Sequence, residues 1–306
     1  MDYRRLGQSG LMVSSIGIGC NNFGGRMDLA ETQAVVDKAI DLGITLFDTA
    51  DVYGGTQSEI QLGQALGKRR QDVIVATKFG IPMNQSSLSG GGSRRYIMAS
   101  VEGSLKRLGT DYIDLYQMHR ADPNTPIEET MAAMDDLVTS GKVRYIGNSN
   151  YAGWQIAEAD LVARTRHSER FISAQNNFSL LERRVEHEVI PACEHFGLGM
   201  LPFFPLASGL LTGKYRRNED NPKGTRLAER DIRDRQYDQL EALEKWAQER
   251  DHSLLELAFA WLLASPSVSS VIAGATKPEQ VDANASAGGW LLAQEERAEV
   301  TSLLSS

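Results

Sequence analysis

The sequence predicts an α/β protein of the (β/α)8 TIM barrel class. Short apolar runs with strand character alternate eight times with amphipathic helical runs, a pattern that favours parallel strands joined by crossover helices. The 306 residues exceed the roughly 250 of a typical barrel. No proline- or glycine-rich hinge divides the chain. We therefore expect one domain over residues 1–306, with a few additions to a single barrel.

The eight predicted strands share short runs of apolar and β-branched residues. They cover residues 16–19, 45–48, 72–78, 112–119, 143–149, 171–175, 199–204 and 270–273. Each strand is followed by a run in which apolar residues recur every three or four positions, as on one face of a helix. These predicted helices cover residues 30–42, 58–66, 95–108, 127–140, 152–166, 185–196, 237–264 and 279–287.

Three further segments do not belong to the repeating units. Residues 3–6 and 12–14 flank the turn Gly7-Gln8-Ser9-Gly10, which predicts an N-terminal β-hairpin covering one end of the barrel. A long polar insertion follows the seventh strand over residues 205–236, and long loops of this kind are usually functional. Residues 294–304 predict an extra C-terminal helix. The serine- and glycine-rich run 86–93 reads as a loop at the barrel top.

Composition narrows the possible partners and locations. Lys and Arg total 32 against 40 Asp and Glu, a net charge of −8, which argues against a general binder of nucleic acid or anionic membranes. We therefore expect a small-molecule substrate as partner; the oligomeric state is left open. No apolar run follows Arg4 and Arg5 as in a signal peptide. With only Cys20 and Cys193 there is no disulfide framework, and we expect a cytoplasmic protein.

The predicted strand ends locate the candidate chemistry, because active sites of such barrels lie where strands end and the following loops begin. Asp48 ends the second strand and Tyr53 follows it closely, while Lys78 ends the third strand and His119 the fourth. An acid, a phenol, an ammonium and an imidazole are therefore expected in one mouth.

These four residue types suggest an acid catalyst. A tyrosine pKa of about 10 is too high for easy proton exchange near neutrality, and a nearby Lys78 ammonium is expected to lower it. Asp48 would hold that ammonium, and His119 would donate a hydrogen bond to a carbonyl oxygen near Tyr53. Taken singly, each residue is more often structural, as an ion pair or a rim histidine. A metal site is disfavoured, since the mouth offers one histidine beside a lysine.

The chain resembles the aldo-keto reductases, in particular the branch that contains the voltage-gated potassium channel β subunits. The segments that carry the resemblance are 43–54, 76–78, 111–119, 141–150 and 205–215. The family's catalytic tetrad matches Asp48, Tyr53, Lys78 and His119 without substitution. The resemblance implies a barrel enzyme that reduces carbonyl groups with NADPH.

A dinucleotide site must be built without a GxGxxG fingerprint, which is absent. Barrels offer a phosphate site at the loops after strands seven and eight, where Ser208, Gly209, Leu211 and Lys214 lie. The resemblance adds further cofactor-binding residues. Ser149, Asn150 and Gln175 would bind the nicotinamide amide, and Phe203 would stack on its ring. Pro205 and Leu206 belong to the neighbouring loop. The adenosine end would be bound by Gly274, Thr276, Lys277, Gln280 and Asn284.

Cofactor preference and substrate are less tightly defined by the sequence. Lys277 and Arg226 are candidates to bind the 2′-phosphate of NADPH, although Arg226 fits a solvated loop equally well. Shorter-chain family members often carry a basic residue where Gln280 stands, so NADH use stays open. Asn22 and Arg120 are the candidate substrate-binding residues and suggest a polar substrate.

Three functions follow from these expectations. The leading hypothesis is an NADPH-dependent reductase of aldehydes or ketones with Tyr53 as general acid. The alternative from the same branch is a regulatory subunit that binds NADPH, senses redox state and turns over little. A barrel hydrolase using Asp48 and a second carboxylate is the third reading, and it predicts no nicotinamide binding.

Overall fold

The computed structural model describes residues 1–83, 90–223, 227–229 and 232–304. Ten strands lie in this part of the chain, two in a hairpin and eight in a parallel sheet. They are β1 Tyr3–Arg5, β2 Met12–Ser14, β3 Ile16–Gly19, β4 Leu46–Asp48, β5 Ile74–Phe79, β6 Ile113–Met118, β7 Val143–Ser149, β8 Phe171–Gln175, β9 Gly199–Met200 and β10 Val271–Gly274. The predicted (β/α)8 architecture with its N-terminal hairpin is confirmed.

The parallel sheet runs in the order β10-β3-β4-β5-β6-β7-β8-β9. Hydrogen bonds then join its two outer strands into a ring. The backbone N–H of Met200 donates to the carbonyl of Ser267 at 2.7 Å, and that of Ile272 donates to the carbonyl of Pro202 at 3.0 Å. Closure leaves no free sheet edge among these strands.

Helices cover the outside of the ring, as crossover connections between parallel strands require. They are α1 Leu29–Asp41, α2 Gln57–Leu66, α3 Arg94–Leu108, α4 Ile127–Thr139, α5 Gly153–Arg166, α6 Val189–Phe196, α7 Asp234–Gln248, α8 Leu254–Leu263, α9 Pro278–Ala287 and α10 Gln294–Ser302. Their ends follow local sequence: Asp28 and Glu31 form a capping box at the start of α1. Gly109, at φ +64°, follows the end of α3.

The hairpin β1–β2 seals the barrel at the end opposite the strand carboxyl ends. Leu6 and Val13 are fully buried and join an apolar cluster with residues from inside the barrel, such as Leu46 and Leu115. Gly7 sits at φ +59°, and a Cβ there would lie 2.3 Å from the carbonyl oxygen of Gly197. Only glycine fits this turn, which closes the barrel floor.

Three predicted elements have clearly different bounds from those expected. The predicted helix 185–196 begins as an α-helix at Val189, after a 3-10 turn over Arg184–Glu186. The predicted helix 237–264 is wrong as one element, because α7 and α8 are separated by a turn in which Asp251 has φ +60°. Ser253 starts α8 with a capping box to Glu256, a signal present in the sequence. The predicted strand 199–204 is paired in the sheet only over Gly199–Met200.

The insertion after β9 is held to α7 by charge. Its described part contains a 3-10 turn over Ala207–Thr212. Arg216 pairs with Glu244, and Arg217 pairs with three acids of α7. Arg226 lies outside the described residues.

The extra C-terminal helix is α10, as predicted. No helix in the described ranges is long and apolar enough to span a bilayer, and the single domain over 1–306 stays a prediction.

Candidate active site

A cavity of about 660 Å³ opens at the carboxyl ends of the strands, as the fold predicts. Strand register brings its residues to one level. Gly19 pairs with Asp48, Lys78 with Gln117 and Ser149 with Gln175. Three of the four predicted catalytic residues, Asp48, Tyr53 and His119, line the cavity, and Lys78 lies directly beneath them.

Lys78 is completely buried and its ammonium is bonded on all sides. Its Nζ donates to Asp48 Oδ1 at 2.8 Å, to Asp48 Oδ2 at 2.7 Å and to the carbonyl of Thr49 at 2.8 Å. Burial alone would lower the pKa of Lys78, but the charge and hydrogen bonds of Asp48 hold that pKa above its ordinary value. The predicted Asp48–Lys78 pair is present, and the lysine stays protonated.

Asp48 receives further donors from neighbouring strands. Its Oδ1 accepts from Gln175 Nε2 at 2.8 Å and from Gln117 Nε2 at 3.4 Å. A buried carboxylate needs such partners to be stable inside a protein. Gln117 was not among the predicted site residues, although its place one strand from Lys78 follows from the barrel order.

Tyr53 reaches the ammonium with its hydroxyl, 3.5 Å from Lys78 Nζ. Burial raises the pKa of Tyr53 above its ordinary value, and the opposing effect of Lys78 is the smaller one, since Asp48 also raises it. The expectation that this phenol is unusually acidic is therefore wrong in this structure. The raised pKa keeps the phenol protonated near neutrality, which is the form that a proton donor needs.

Glycine geometry places Tyr53 at the mouth. Gly54 and Gly55 follow it with φ of +57° and +62°, a conformation that glycine adopts without strain. A Cβ at Gly54 would lie 2.6 Å from the carbonyl oxygen of Phe23. The turn after β4 is therefore pressed against the loop after β3, and this contact fixes the tyrosine.

His119 completes the group with its ring edge-on to Tyr53, the two centroids 5.7 Å apart. Burial first, and then the charges of Lys78 and Arg120, lower the pKa of His119 to about 3, so its imidazole is neutral near pH 7. Its Nδ1 is enclosed without a hydrogen-bond partner in the described part of the chain. We therefore expect Nε2 to be the ring nitrogen that forms a hydrogen bond with a ligand in the cavity.

Ser149, Asn150 and Gln175 form one hydrogen-bonded group in the cavity wall. Ser149 Oγ donates to the carbonyl of Gln175 at 2.9 Å, and Asn150 Nδ2 donates to the carbonyl of His119 at 3.0 Å. These bonds occupy the donors and leave Asn150 Oδ1 and Gln175 Oε1 as acceptors without a partner among residues 1–83, 90–223, 227–229 and 232–304. Two acceptors match the NH2 of a carboxamide.

The predicted phosphate side of the cavity contains a lysine without a carboxylate. Lys214 lines the wall with Ser208 and Gly209, and it has no acidic partner within the described ranges. Burial lowers the pKa of Lys214, as expected for an ammonium that is partly removed from water and has no counter-ion beside it in the described part of the chain. Gly209 has φ +105°, and a Cβ there would lie 3.4 Å from Lys214 Nζ.

The neighbouring positions match the expectations less evenly. Phe203, Pro205 and Leu206 line the cavity. Leu211 does not, because its side chain is completely buried in the core, and its contact with the cofactor stays a prediction. Phe203 lies edge-on to Phe204 with centroids 5.2 Å apart.

At the predicted adenosine end, Gly274, Thr276, Gln280 and Asn284 line the cavity. Gln280 Oε1 accepts from the backbone N–H of Thr276 at 2.7 Å, which fixes this loop onto the first turn of α9. Lys277 is exposed and lies outside the described wall, and its contact with the 2′-phosphate stays a prediction. Sequence alone did not show that the loop turns this side chain outward.

The predicted substrate residues Asn22 and Arg120 both line the cavity. Arg26 also lines it and was missed, although Asn22 of the same loop after β3 was expected there. Trp290 stacks on His252 with centroids 3.8 Å apart and is not part of the described wall. The wall also contains Gly19, Asn21, Phe204, Thr212, Leu255, Ile272, Ala273, Ala275 and Ala283.

A second polar shell lies behind the tetrad, between the barrel and helices α2 and α3. Glu59 is completely buried, accepts from Thr77 Oγ1 at 2.6 Å and pairs with Arg107. Asp51 accepts from Tyr96 and Ser100 through Oδ2. Burial, followed by the charge of Glu59, raises the pKa of Asp51 to about 7.

The residues of the cavity wall fit the binding of a dinucleotide better than they fit the catalysis of hydrolysis. Free amide acceptors, an aromatic ring and an unpaired lysine lie along one wall. Asp48 is the only carboxylate in the described part of this wall, and Lys78 occupies it. A hydrolase with two working carboxylates is therefore not supported.

Comparison with known proteins agrees with this geometry. Residues 15–305 match the Aldo/keto reductase family. The chain is 39% identical over 293 residues to an uncharacterized oxidoreductase of Bacillus subtilis (strain 168), covering 92% of this chain and 89% of that protein. It is 39% identical to a probable voltage-gated potassium channel subunit beta of Oryza sativa subsp. japonica, covering 93% and 90%.

A third relative has a named reaction. The chain is 36% identical over 303 residues to the L-glyceraldehyde 3-phosphate reductase of Escherichia coli (strain K12), covering 94% of this chain and 87% of that protein. A family match over nearly the whole chain and relatives of this identity leave one conclusion. The chain belongs to the aldo/keto reductase family of oxidoreductases.

Proposed function

We propose that this protein is an NADPH-dependent reductase of aldehyde or ketone carbonyls, with NADH as a second possible cofactor. The observation that carries the proposal is the meeting of Tyr53, His119 and the buried Asp48–Lys78 pair at one end of a cavity. We further propose the cytoplasm as its location, because its two cysteines are buried and free.

Each residue of the tetrad has a distinct part. Tyr53, protonated at neutral pH, donates its proton to the carbonyl oxygen as that oxygen gains charge. The low pKa of His119 leaves its imidazole neutral near pH 7. In this form its Nε2–H donates a hydrogen bond to the same oxygen. Lys78 stabilises the phenolate that results, and Asp48 holds Lys78 in place.

The remaining wall residues would hold the cofactor. A bound reduced nicotinamide supplies the hydride for the carbonyl carbon. Asn150 and Gln175 would bind its carboxamide through their free oxygens, and Phe203 would stack on the ring. Lys214 and the backbone near Gly209 would bind the pyrophosphate. Thr276, Gln280 and Asn284 would surround the adenosine.

Steady-state oxidation of NADPH with a panel of aldehydes and ketones tests the proposal. We expect many turnovers per active site and tighter binding of NADPH than of NADH, measured by fluorescence titration. A protein that binds neither dinucleotide would contradict the proposal, as would one that binds them but reduces no carbonyl compound.

The alternative is a redox-sensing regulatory subunit, favoured by the similarity to plant proteins named as potassium channel subunits. Such a protein would bind NADPH tightly and turn over little. Single-turnover and multiple-turnover measurements on the same sample separate the two. A single slow turnover followed by arrest would favour the regulator over the enzyme.

A further inference from the structure

The described wall of the active-site cavity carries an excess of positive charge. Its charged residues are Arg26, Asp48, Arg120 and Lys214, and Asp48 is neutralised by Lys78. Three cations thus remain in a chain whose net charge is −8. Arg26 and Arg120 have no acidic partner in the part of the chain that the structure describes. Many other arginines of this protein are ion-paired, for example Arg107, whose partner is Glu59.

The backbone of Arg26 lies in a hydrogen-bonded loop next to the turn that carries Tyr53. The carbonyl of Asn22 accepts from the backbone N–H groups of Gly25, Arg26 and Met27 at 3.3, 3.0 and 3.2 Å. The position of a Cβ on Gly25 would lie 3.8 Å from Gly54 Cα, one residue from Tyr53. The backbone of Arg26 is therefore fixed next to the catalytic turn.

Arg120 is placed beside the hydrogen-bond donor in the same way. It directly follows His119, whose N–H donates to the carbonyl of Phe79 at 2.8 Å and whose carbonyl accepts from Asn150. The charge of Arg120 is close enough to contribute to the lowered pKa of His119. Each residue that would contact the carbonyl oxygen therefore has an unpaired arginine near it.

We propose that Arg26 and Arg120 select small aldehydes or ketones that carry an anionic group, a phosphate or a carboxylate. This proposal rests on the proposed reductase function and specifies its substrate class. A guanidinium binds either anion through paired N–H donors. Lys214 lies against Gly209 in the loop after β9, whereas Arg26 and Arg120 follow β3 and β6. In this assignment Lys214 binds the cofactor and the two arginines bind the substrate.

Matched substrate pairs test the selection. Glyceraldehyde 3-phosphate is compared with glyceraldehyde, and succinic semialdehyde with butanal, at saturating NADPH. We expect a higher kcat/KM for the anionic member of at least one pair, and the pair that responds identifies the anion. A preference for the neutral member in both pairs overturns the proposal.

Variants connect this preference to the two residues. Arg26→Gln and Arg120→Gln are each expected to reduce the anionic-to-neutral ratio of kcat/KM about 10-fold, and the double variant further. Arg166→Gln is the matched control, an exposed arginine at the end of α5 and away from the cavity, and should keep the wild-type ratio. A double variant with the wild-type ratio, or with a weaker Kd for NADPH as its main defect, overturns the proposal.

A binding experiment keeps this inference separate from the reductase function. Glycerol 3-phosphate is titrated by calorimetry into the cofactor-free Lys214→Gln variant, which removes the other unpaired cation. We expect binding there, no binding of glycerol, and a loss of at least about 10-fold once both arginines are also replaced. Equal affinity in the two variants, or no binding in Lys214→Gln, overturns the anion site even if the protein reduces aldehydes. Binding as expected without any reduction would instead contradict the proposed function alone.

Discussion

Two lysines of the same cavity show how differently its two ends are built. Lys78, at the catalytic end, is completely buried and donates to Asp48 and Thr49. Lys214, at the phosphate side, is exposed, and its described contact is the ring of Tyr215, 5.4 Å from Nζ to the centroid. The first lysine has its anion within the protein, and the second has none among the described residues.

This contrast indicates what each end contributes. Charges satisfied within the fold are part of its stability, because removing one partner leaves the other buried and unpaired. A cation without a partner contributes little to the folded chain and is available to a ligand. Mutations at the catalytic end should therefore affect folding or chemistry, and those at the phosphate side should affect binding.

The largest effect is expected for Lys78→Met. It leaves the Asp48 carboxylate buried without its counter-ion, and breaking such a pair costs about 3–5 kcal/mol. We expect this loss in the free energy of unfolding measured by urea denaturation, together with loss of turnover. The double variant Asp48→Asn/Lys78→Met should recover most of the stability but no activity. If the single variant were as stable as wild type, the buried pair would not distinguish this end of the cavity.

Tyr53→Phe should remove chemistry while sparing both folding and binding. Its hydroxyl lies 3.5 Å from Lys78 Nζ, a long contact whose loss leaves the three shorter bonds of the ammonium intact. We expect turnover to fall about 10²–10⁴-fold, the range for a lost general acid, with an unchanged Kd for NADPH. Tyr112→Phe, which removes a hydroxyl away from the cavity, should behave as wild type. Equal turnover of Tyr53→Phe would mean that another group donates the proton.

Asp51→Asn tests the polar shell behind the tetrad through pH. The pKa of Asp51 is about 7 in the folded chain and about 3.9 when unfolded, so the folded state binds the extra proton between these values. The contribution of Asp51 to the free energy of unfolding is therefore complete below pH 3.9 and is lost as the pH rises to 7. A shift of about 3 units corresponds to roughly 4 kcal/mol at most.

The amide variant cannot ionise, so it should lack this fall and be more stable than wild type above pH 7. Chemical denaturation at pH 5 and pH 8 measures the difference between the two proteins. Asp111→Asn, at an exposed carboxylate, is the control and should follow wild type at both values. If the difference in unfolding free energy between wild type and Asp51→Asn were the same at both pH values, a pKa of Asp51 near 7 would be excluded.

The catalytic end could be predicted from sequence because strand ends define it. Asp48 and Lys78 lie in β4 and β5, and His119 directly follows β6, so the order of strands in a barrel brings them together without further information. The direction of the Tyr53 pKa could not be predicted, since it depends on how much burial outweighs one ammonium. Whether a phenol at a strand end is buried is a property of the packed loops around it.

The other end depends on loops, and there prediction was uneven. Lys277 follows β10 as expected but is exposed, because the backbone between the strand and α9 decides where its side chain lies. Arg26 was missed although Asn22 of the same loop was expected at the mouth, because the close contact of Gly25 with Gly54 brings this part of the loop there. Such contacts between distant loops carry no local sequence pattern.

The smallest effect is expected for Lys214→Gln, and it completes the comparison of the two lysines. Burial lowers the pKa of Lys214, so its charge is a modest cost to the folded chain that no carboxylate in the described part of the chain offsets. We expect the unfolding free energy without cofactor to stay within about 0.5 kcal/mol of wild type. The Kd for NADPH should rise about 10-fold, as for the loss of one charge-assisted contact, and the stabilisation by saturating NADPH should fall accordingly. Lys68→Gln, an exposed lysine outside the cavity, should change neither quantity. If Lys214→Gln instead destabilised the cofactor-free protein as Lys78→Met does, the lysine would have a partner within the fold, and the division between a self-satisfied catalytic end and a ligand-dependent phosphate side would be wrong.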